Sequence, residues 1–195
     1  MPEPDNIKRI LPIAFRSSYS HVVAIIDEFE IQIEQPSDPE HQLTWSEYKK
    51  CNTLKYLISC TPDGFINFIS KGFGGRISDE LLFQESEIVE ELPEGCAVTA
   101  DRGIKNIVQL LGNKKIELIR PPSVSAGVKL SQSDALQGKR IAALRIHIER
   151  VIGRMREFDF LKPHAVANHN MLSLTDYIVI IAAALVNLQI PIISS

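Results

Sequence analysis

A mixed-sheet α/β fold is what this chain predicts, from three features: strand-like apolar runs early in the sequence, a later alternation of helix and strand, and long helical segments towards the end. The 195 residues and the 45% hydrophobic fraction suffice for one large domain with a substantial core.

The first strand is expected over residues 22–34. Val23, Ile25, Asp27, Phe29, Ile31 and Ile33 alternate onto one face, while Val22, Ala24 and Ile26 make the first half apolar on both faces, as in a central strand. Residues 35–52 carry Pro36, Pro39 and many polar side chains and read as a loop or irregular excursion. Strands over 54–60 and 65–71 follow, joined by Thr61-Pro62-Asp63-Gly64, the residue types of a tight turn. Ser78 or Asp79 caps a helix expected to run to about Leu92. A short strand over 96–100 ends at Asp101, a helix runs to about Leu111, and a last strand covers 116–119. Residues 121–130, rich in Pro, Ser and Gly, predict a mobile connection. Ser131-Gln132-Ser133-Asp134 resembles a capping box that opens a helix to about Glu157. The final helix is expected from about Ser173 to Leu188 and is read as a buried helix. The apolar run over 177–193, broken by Asn187, Gln189 and Pro191, falls short of the roughly 20 residues a membrane span needs.

Composition excludes some functions. The formal charge of -3 gives no global sign of nucleic-acid binding, so any basic surface is local. Cys51, Cys60 and Cys96 are odd in number and form no CxxC pair, which argues against a disulfide framework or a zinc site and for a reducing compartment. Residues 1–9 lack the order of a secretory signal. Gly72-Phe73-Gly74-Gly75 is not a dinucleotide fingerprint, and neither a phosphate-loop lysine nor a nucleophile elbow is present. His164 and His169 read as surface residues rather than metal ligands.

Three acids stand out. Asp27 lies on the inward face of its strand between Ile25 and Phe29, where an ionised carboxylate is costly unless paired or bound to a cation. A salt-bridged core aspartate and a metal-binding or catalytic one fit that pattern equally. Asp101 follows an apolar strand and precedes a helix, the crevice position for ligands in α/β sheets, though a helix cap fits as well. Glu149 borders the stripe Ile141, Leu144, Ile148, Val151, Ile152 and Met155, with small Ala142 and Gly153 on its own face. The same helix carries Lys139, Arg140, Arg145, Arg150, Arg154 and Arg156, either a solvated face or a surface for phosphates.

With these residues go Ile26-Asp27, Thr44-Trp45-Ser46-Glu47-Tyr48-Lys49, Asn52-Thr53-Leu54-Lys55, Gly74-Gly75-Arg76-Ile77-Ser78-Asp79, Ala100-Asp101-Arg102-Gly103 and Arg145-Ile146-His147-Ile148-Glu149-Arg150. Together they resemble the PIF/Harbinger branch of the DDE transposase endonucleases, from about Leu11 to Pro191. The resemblance implies a ribonuclease-H-like mixed sheet flanked by helices, spanning 21–190, with an N-terminal extension over 1–20 and a tail over 191–195. It implies that Asp27, Asp101 and Glu149 are catalytic and hold Mg²⁺ or Mn²⁺, as two ions, because hard cations prefer carboxylate oxygen. Asp79 matches an accessory acidic position; Arg102, Arg145 and Arg156 are the candidate DNA contacts. DNA is the implied substrate, with a separate DNA-binding segment or partner protein, no membrane, room for a homo-oligomer, and a nuclear or also cytoplasmic location. A domesticated, non-catalytic DNA- or protein-binding domain is the alternative that the resemblance leaves open.

Overall fold

The computed structural model describes residues 1–36, 43–101, 107–121 and 131–192. It is a mixed α/β structure consistent with the ribonuclease-H-like fold: a curled sheet between two layers of helices. Strand β1 (Val22–Ile33) is central. On one side it pairs antiparallel with β3 (Cys51–Cys60), from Ile25 opposite Cys60 to Gln32 opposite Thr53. β3 in turn pairs with β2 (Trp45–Ser46), β4 (Ile66–Ile69) and β5 (Phe73–Gly74). On its other side β1 runs parallel to β6 (Ala97–Thr99), and β6 parallel to β7 (Glu117–Ile119). The path across the sheet is therefore β2-β3-β1-β6-β7.

β1 is longer than its parallel neighbour, and this difference makes the cleft described below. β6 covers β1 only from Val22 to Ile25. β8 (Val166–Ala167) picks up the same strand again at Gln32 and Ile33. Between them, among the described residues, no strand pairs with that edge of β1.

Two apolar clusters fill the faces. One joins Ile25, Phe29, Ile31, Tyr56 and Ile58 to helices α6 (Gln132–Met155) and α7 (Thr175–Asn187), with Phe15 of α2 (Ile13–Arg16) inserted. The other joins Ala24, Ile26, Leu57 and Val98 to α1 (Pro4–Arg9), α3 (Asp79–Glu85), α4 (Ile88–Glu91) and α5 (Val108–Gly112). Val23 belongs to the second cluster although its sequence parity matches Ile25, because the β1–β6 register shifts between Val22 and Ala24.

Several expectations are corrected. β2 and the start of β3 lie inside the stretch read as a loop, where Trp45 and Ser46 pair with Asn52 and Cys51. The helix expected to reach Leu92 breaks at Glu87, whose left-handed φ of 61° separates α3 from α4. Ser86 makes the break tolerable, its hydroxyl accepting from the Ile88 N–H. The connection expected over 121–130 lies almost wholly outside the described residues. The capping box forms: Ser131 Oγ accepts the Asp134 N–H at 3.1 Å.

The C-terminal helix is buried on one face only. Val179, Ala182, Ala183 and Val186 enter the core, while Tyr177, Ile180, Ile181, Leu185 and Leu188 are exposed. A 3-10 turn runs straight into α7, so the helical segment His169–Asn187 has 19 residues at a mean hydropathy of 1.5, enough by length and composition to cross a membrane. Side-chain bonds tie it to the sheet instead. Asp176 accepts from Tyr56 Oη at 2.7 Å and from the Gly72 N–H at 3.0 Å, and Asn187 pairs with both backbone groups of Ile66.

Candidate active site

Asp27 stands on β1 just past the last residue covered by β6, and Asp101 follows the end of β6 itself. Strand alternation turns Asp27 towards α6. There Arg145 reaches across: its Nη2 donates to Asp27 Oδ2 at 3.1 Å and its Nη1 to Asp101 Oδ1 at 2.9 Å. One guanidinium thus bridges two carboxylates that are 74 residues apart in the chain (101 − 27). The second oxygen of Asp27 accepts the Glu28 N–H at 2.9 Å. The Asp27 side chain is 15% exposed and that of Asp101 is 47% exposed, so the pair opens outwards through Asp101.

Burial raises the pKa of Asp27. The Glu28 N–H and Arg145 pull it back and the nearby Asp101 charge raises it again. A cation between the two carboxylates is what this geometry demands, and the guanidinium fills that role. Its Nε is buried with no hydrogen-bond partner among the described residues, so Arg145 is held by its two ion pairs alone.

Glu149 is not drawn into this bridge. It lies one turn beyond Arg145 on α6, exposed, with no hydrogen bond or ion pair to either aspartate among the described residues. Among the described residues no group of three or more His, Cys, Asp or Glu side chains is gathered closely enough to hold a metal ion. The structure brings together two of the three expected acids and leaves the third within the same stretch of helix.

Arg156 lines the cleft with Asp27 and Asp101, and it pairs with no carboxylate among the described residues. Arg145, also a candidate DNA contact, is engaged with the two acids. Arg102 lies outside the described residues. Asp79 lines the same cleft as Asp27 and Asp101 without touching Arg145; there Lys55 Nζ meets Asp79 Oδ1 at 2.5 Å and Glu28 Oε1 at 3.3 Å. Ser78, not Asp79, caps α3, its hydroxyl accepting the Leu81 N–H at 3.2 Å. Burial pushes Glu28 up to about 7, Lys55 pulling it down and Asp79 adding to the rise. Sequence reasoning assigned no role to Lys55 or Glu28. The signal was a lysine set between the apolar Leu54 and Tyr56 of β3, which needs an acid across the sheet.

The cleft has a volume of about 460 Å³ and is lined by Asp27, Glu28, Lys55, Asp79, Asp101 and Arg156 among others. Asp101 follows the carboxyl end of parallel β6, the ligand-binding position of open α/β sheets, and Asp27 lies beside that end on β1. A family model described as DDE superfamily endonuclease matches residues 26–187, a span that holds both aspartates, Arg145 and Glu149. The chain belongs to the DDE superfamily of endonucleases. No curated protein and no solved structure matches it. DDE endonucleases act on DNA and generally use divalent metal. In this DDE endonuclease the donor set fits such a group to the extent that two hard-oxygen carboxylates converge on one cation, here the Arg145 guanidinium.

Proposed function

We propose that this DDE endonuclease is a transposase-type nuclease of the PIF/Harbinger branch, with Asp27, Asp101 and Glu149 as its catalytic acids. The observation that carries the proposal is the convergence of Asp27 and Asp101 on a single cation at the mouth of the cleft. Asp27, Asp101 and Glu149 would hold Mg²⁺ or Mn²⁺, as two ions. Bound there, divalent metal supplies charge neutralisation at the phosphate and a more acidic attacking oxygen.

The chain's own residues set the rest. Asp27 is anchored by a backbone N–H and fixed in direction by its strand, so it serves as the rigid ligand. Asp101, half-exposed at a strand end, is the adjustable one. Arg145 keeps the two carboxylates from repelling each other and becomes available to a phosphate when they are neutralised otherwise. Glu149, one helical turn away, joins from the solvent side. The reaction is water attack on a DNA phosphodiester, releasing a 3′-hydroxyl that then attacks target DNA, with element ends recognised by a separate DNA-binding segment or partner. The nucleus is the location this substrate calls for.

The test is cleavage of DNA ends by the purified chain with Mg²⁺ or Mn²⁺. Activity that survives Asp27→Ala overturns the assignment. A domesticated binding role predicts no metal response at all. A metal-binding site predicts thermal stabilisation by about 2.7 kcal/mol when the ion is at 100 times its Kd.

A further inference from the structure

The hairpin between β2 and β3 carries an arrangement that the acids do not account for. Four residues, Glu47 to Lys50, connect Ser46 to Cys51. Ser46 fixes them twice: its Oγ accepts the Lys49 N–H at 3.2 Å, and its carbonyl accepts the Lys50 N–H at 2.8 Å. Lys50 adopts a left-handed φ of 56°, which a non-glycine residue keeps only when its surroundings enforce it.

The base of the hairpin is braced as well. Thr44 donates to Asn52 Oδ1 at 3.0 Å. The segment at Gly74-Gly75 passes directly beneath, Gly75 N–H bonding Thr53 O at 2.9 Å and Arg76 N–H bonding Leu43 O at 3.0 Å. A Cβ on Gly75 would lie 2.0 Å from Thr53 Oγ1, so only glycine permits this approach.

The braced tip presents Tyr48 and Lys49 to the cleft that holds Asp27 and Asp101. Tyr48 is 84% exposed, its ring contacted by the neighbouring Lys49 and otherwise open to solvent. Lys49 Nζ lies 4.8 Å from the ring centroid and forms no ion pair among the described residues. Beyond Lys49 and Arg156 the cleft continues into a depression lined by Gln32, Thr53, Lys162 and His164. An exposed aromatic on a braced hairpin, with a cation over its ring and Arg156 and the Asp159-paired Lys162 further along a groove that Glu30 also lines, matches the way single strands are gripped: bases stack on the ring and phosphates meet the cations.

We propose that Tyr48 and Lys49 grip an unpaired stretch of the DNA strand beside the cleavage point, with Arg156 and Lys162 continuing along its backbone. This deepens the nuclease reading and rests on the cleft being the DNA site. It is tested by binding alone, in chelator and with the full chain, so its failure is separable from failure of the catalytic assignment. The probes are a fluorescent ~12-nucleotide single strand, a length within the range of known single-strand sites, and a blunt duplex of the same sequence. Tyr48→Ala is expected to weaken single-strand binding about tenfold, in line with loss of one stacked base, and to leave duplex binding nearly unchanged. Tyr48→Trp is expected to restore it, and 2-aminopurine in the strand to be quenched by wild type and not by Tyr48→Ala. Lys49→Gln is expected to reduce the salt slope by about 0.7, the value for one phosphate on a single strand. Equal losses on single strand and duplex, an undiminished Tyr48→Ala, or a wild type that binds neither probe would each overturn the grip. Cleavage with metal by Asp27→Ala bears only on the catalytic reading.

Discussion

Asp27 and Glu28 are neighbours in sequence and point to opposite faces of the same strand, where each belongs to a trio of two acids and one base. On one face Arg145 bridges Asp27 and Asp101; on the other Lys55 bridges Glu28 and Asp79. The difference lies in where the base stands and how much water reaches it. Lys55 is on β3, next to the central β1, and its side chain is 8% exposed although it lines the same cleft. Arg145 projects from a helix at the end of a long side chain, and one of its acids is half in solvent. Under the proposed function the more exposed trio is the one that yields its cation to metal, so that chemistry would belong with Asp27 and structural support with Glu28.

The sharpest way to break this division is to neutralise each acid in turn. Asp27→Asn should lower metal-dependent cleavage by on the order of 10³-fold, several kcal/mol of transition-state stabilisation, while its unfolding midpoint in urea stays near that of wild type. Equal loss of activity from Asp27→Asn and from Asp79→Asn, both folded, would erase the distinction.

Next in size is the lysine. Lys55→Met should cost about 3–5 kcal/mol in urea unfolding at pH 7, because it strands two carboxylates without their cation. The triple change Glu28→Gln, Lys55→Met, Asp79→Asn should recover most of that loss. A single Lys55→Met as stable as wild type would show that the trio holds nothing together.

Arg145→Gln should act more gently on the fold and oppositely on metal. The metal-free protein loses about 2 kcal/mol, because Asp27 is left buried without its cation while the Asp101 half of the bridge is exposed and screened. The Mn²⁺ concentration at half-maximal thermal shift should fall, because the ion no longer competes with a resident cation. A rise in that concentration would mean that Arg145 supports the metal rather than standing in for it.

Much of this architecture was legible in the chain. The strand–helix order, the Ser131 cap and the positions of Asp27 and Asp101 at a strand and a strand end all rest on local periodicity, which a sequence carries directly. The Arg145 bridge was not legible. It joins three elements through one long side chain, and the run of cations on α6 gave no reason to single out one of them. Tyr48 was hidden because a two-residue strand leaves no period to read, and its hairpin is set by Lys50 and by the glycines beneath it. The exposed half of α7 was misjudged for a related reason: an all-round apolar helix reads as buried, and only the fold shows that the sheet covers one side.

The smallest effect concerns which side of the sheet responds to acid. His147 shares α6 with Arg145 and is 6% exposed, its Nδ1 2.7 Å from Pro62 O and its ring edge-on to Phe15. Burial lowers its pKa below 6.5, the Pro62 carbonyl opposing that, Arg150 adding to it and Asp63 opposing it. The unfolded chain therefore takes up a proton first on acidification, so the stability from a neutral His147 is complete above pH 6.5 and is lost as pH falls through the lowered value. Glu28 works the other way. Its pKa of about 7 exceeds the ordinary 4.5, so the folded chain keeps its proton longer and stability is lost as pH rises from 4.5 to about 7. The two slopes oppose each other in wild type between those limits. His147→Phe removes one of them, at a cost of about 1 kcal/mol for the carbonyl left unpaired. Urea unfolding from pH 7 to pH 5 should then show the variant gaining stability relative to wild type as acid is added. A parallel pair of curves would place the acid response elsewhere than at His147.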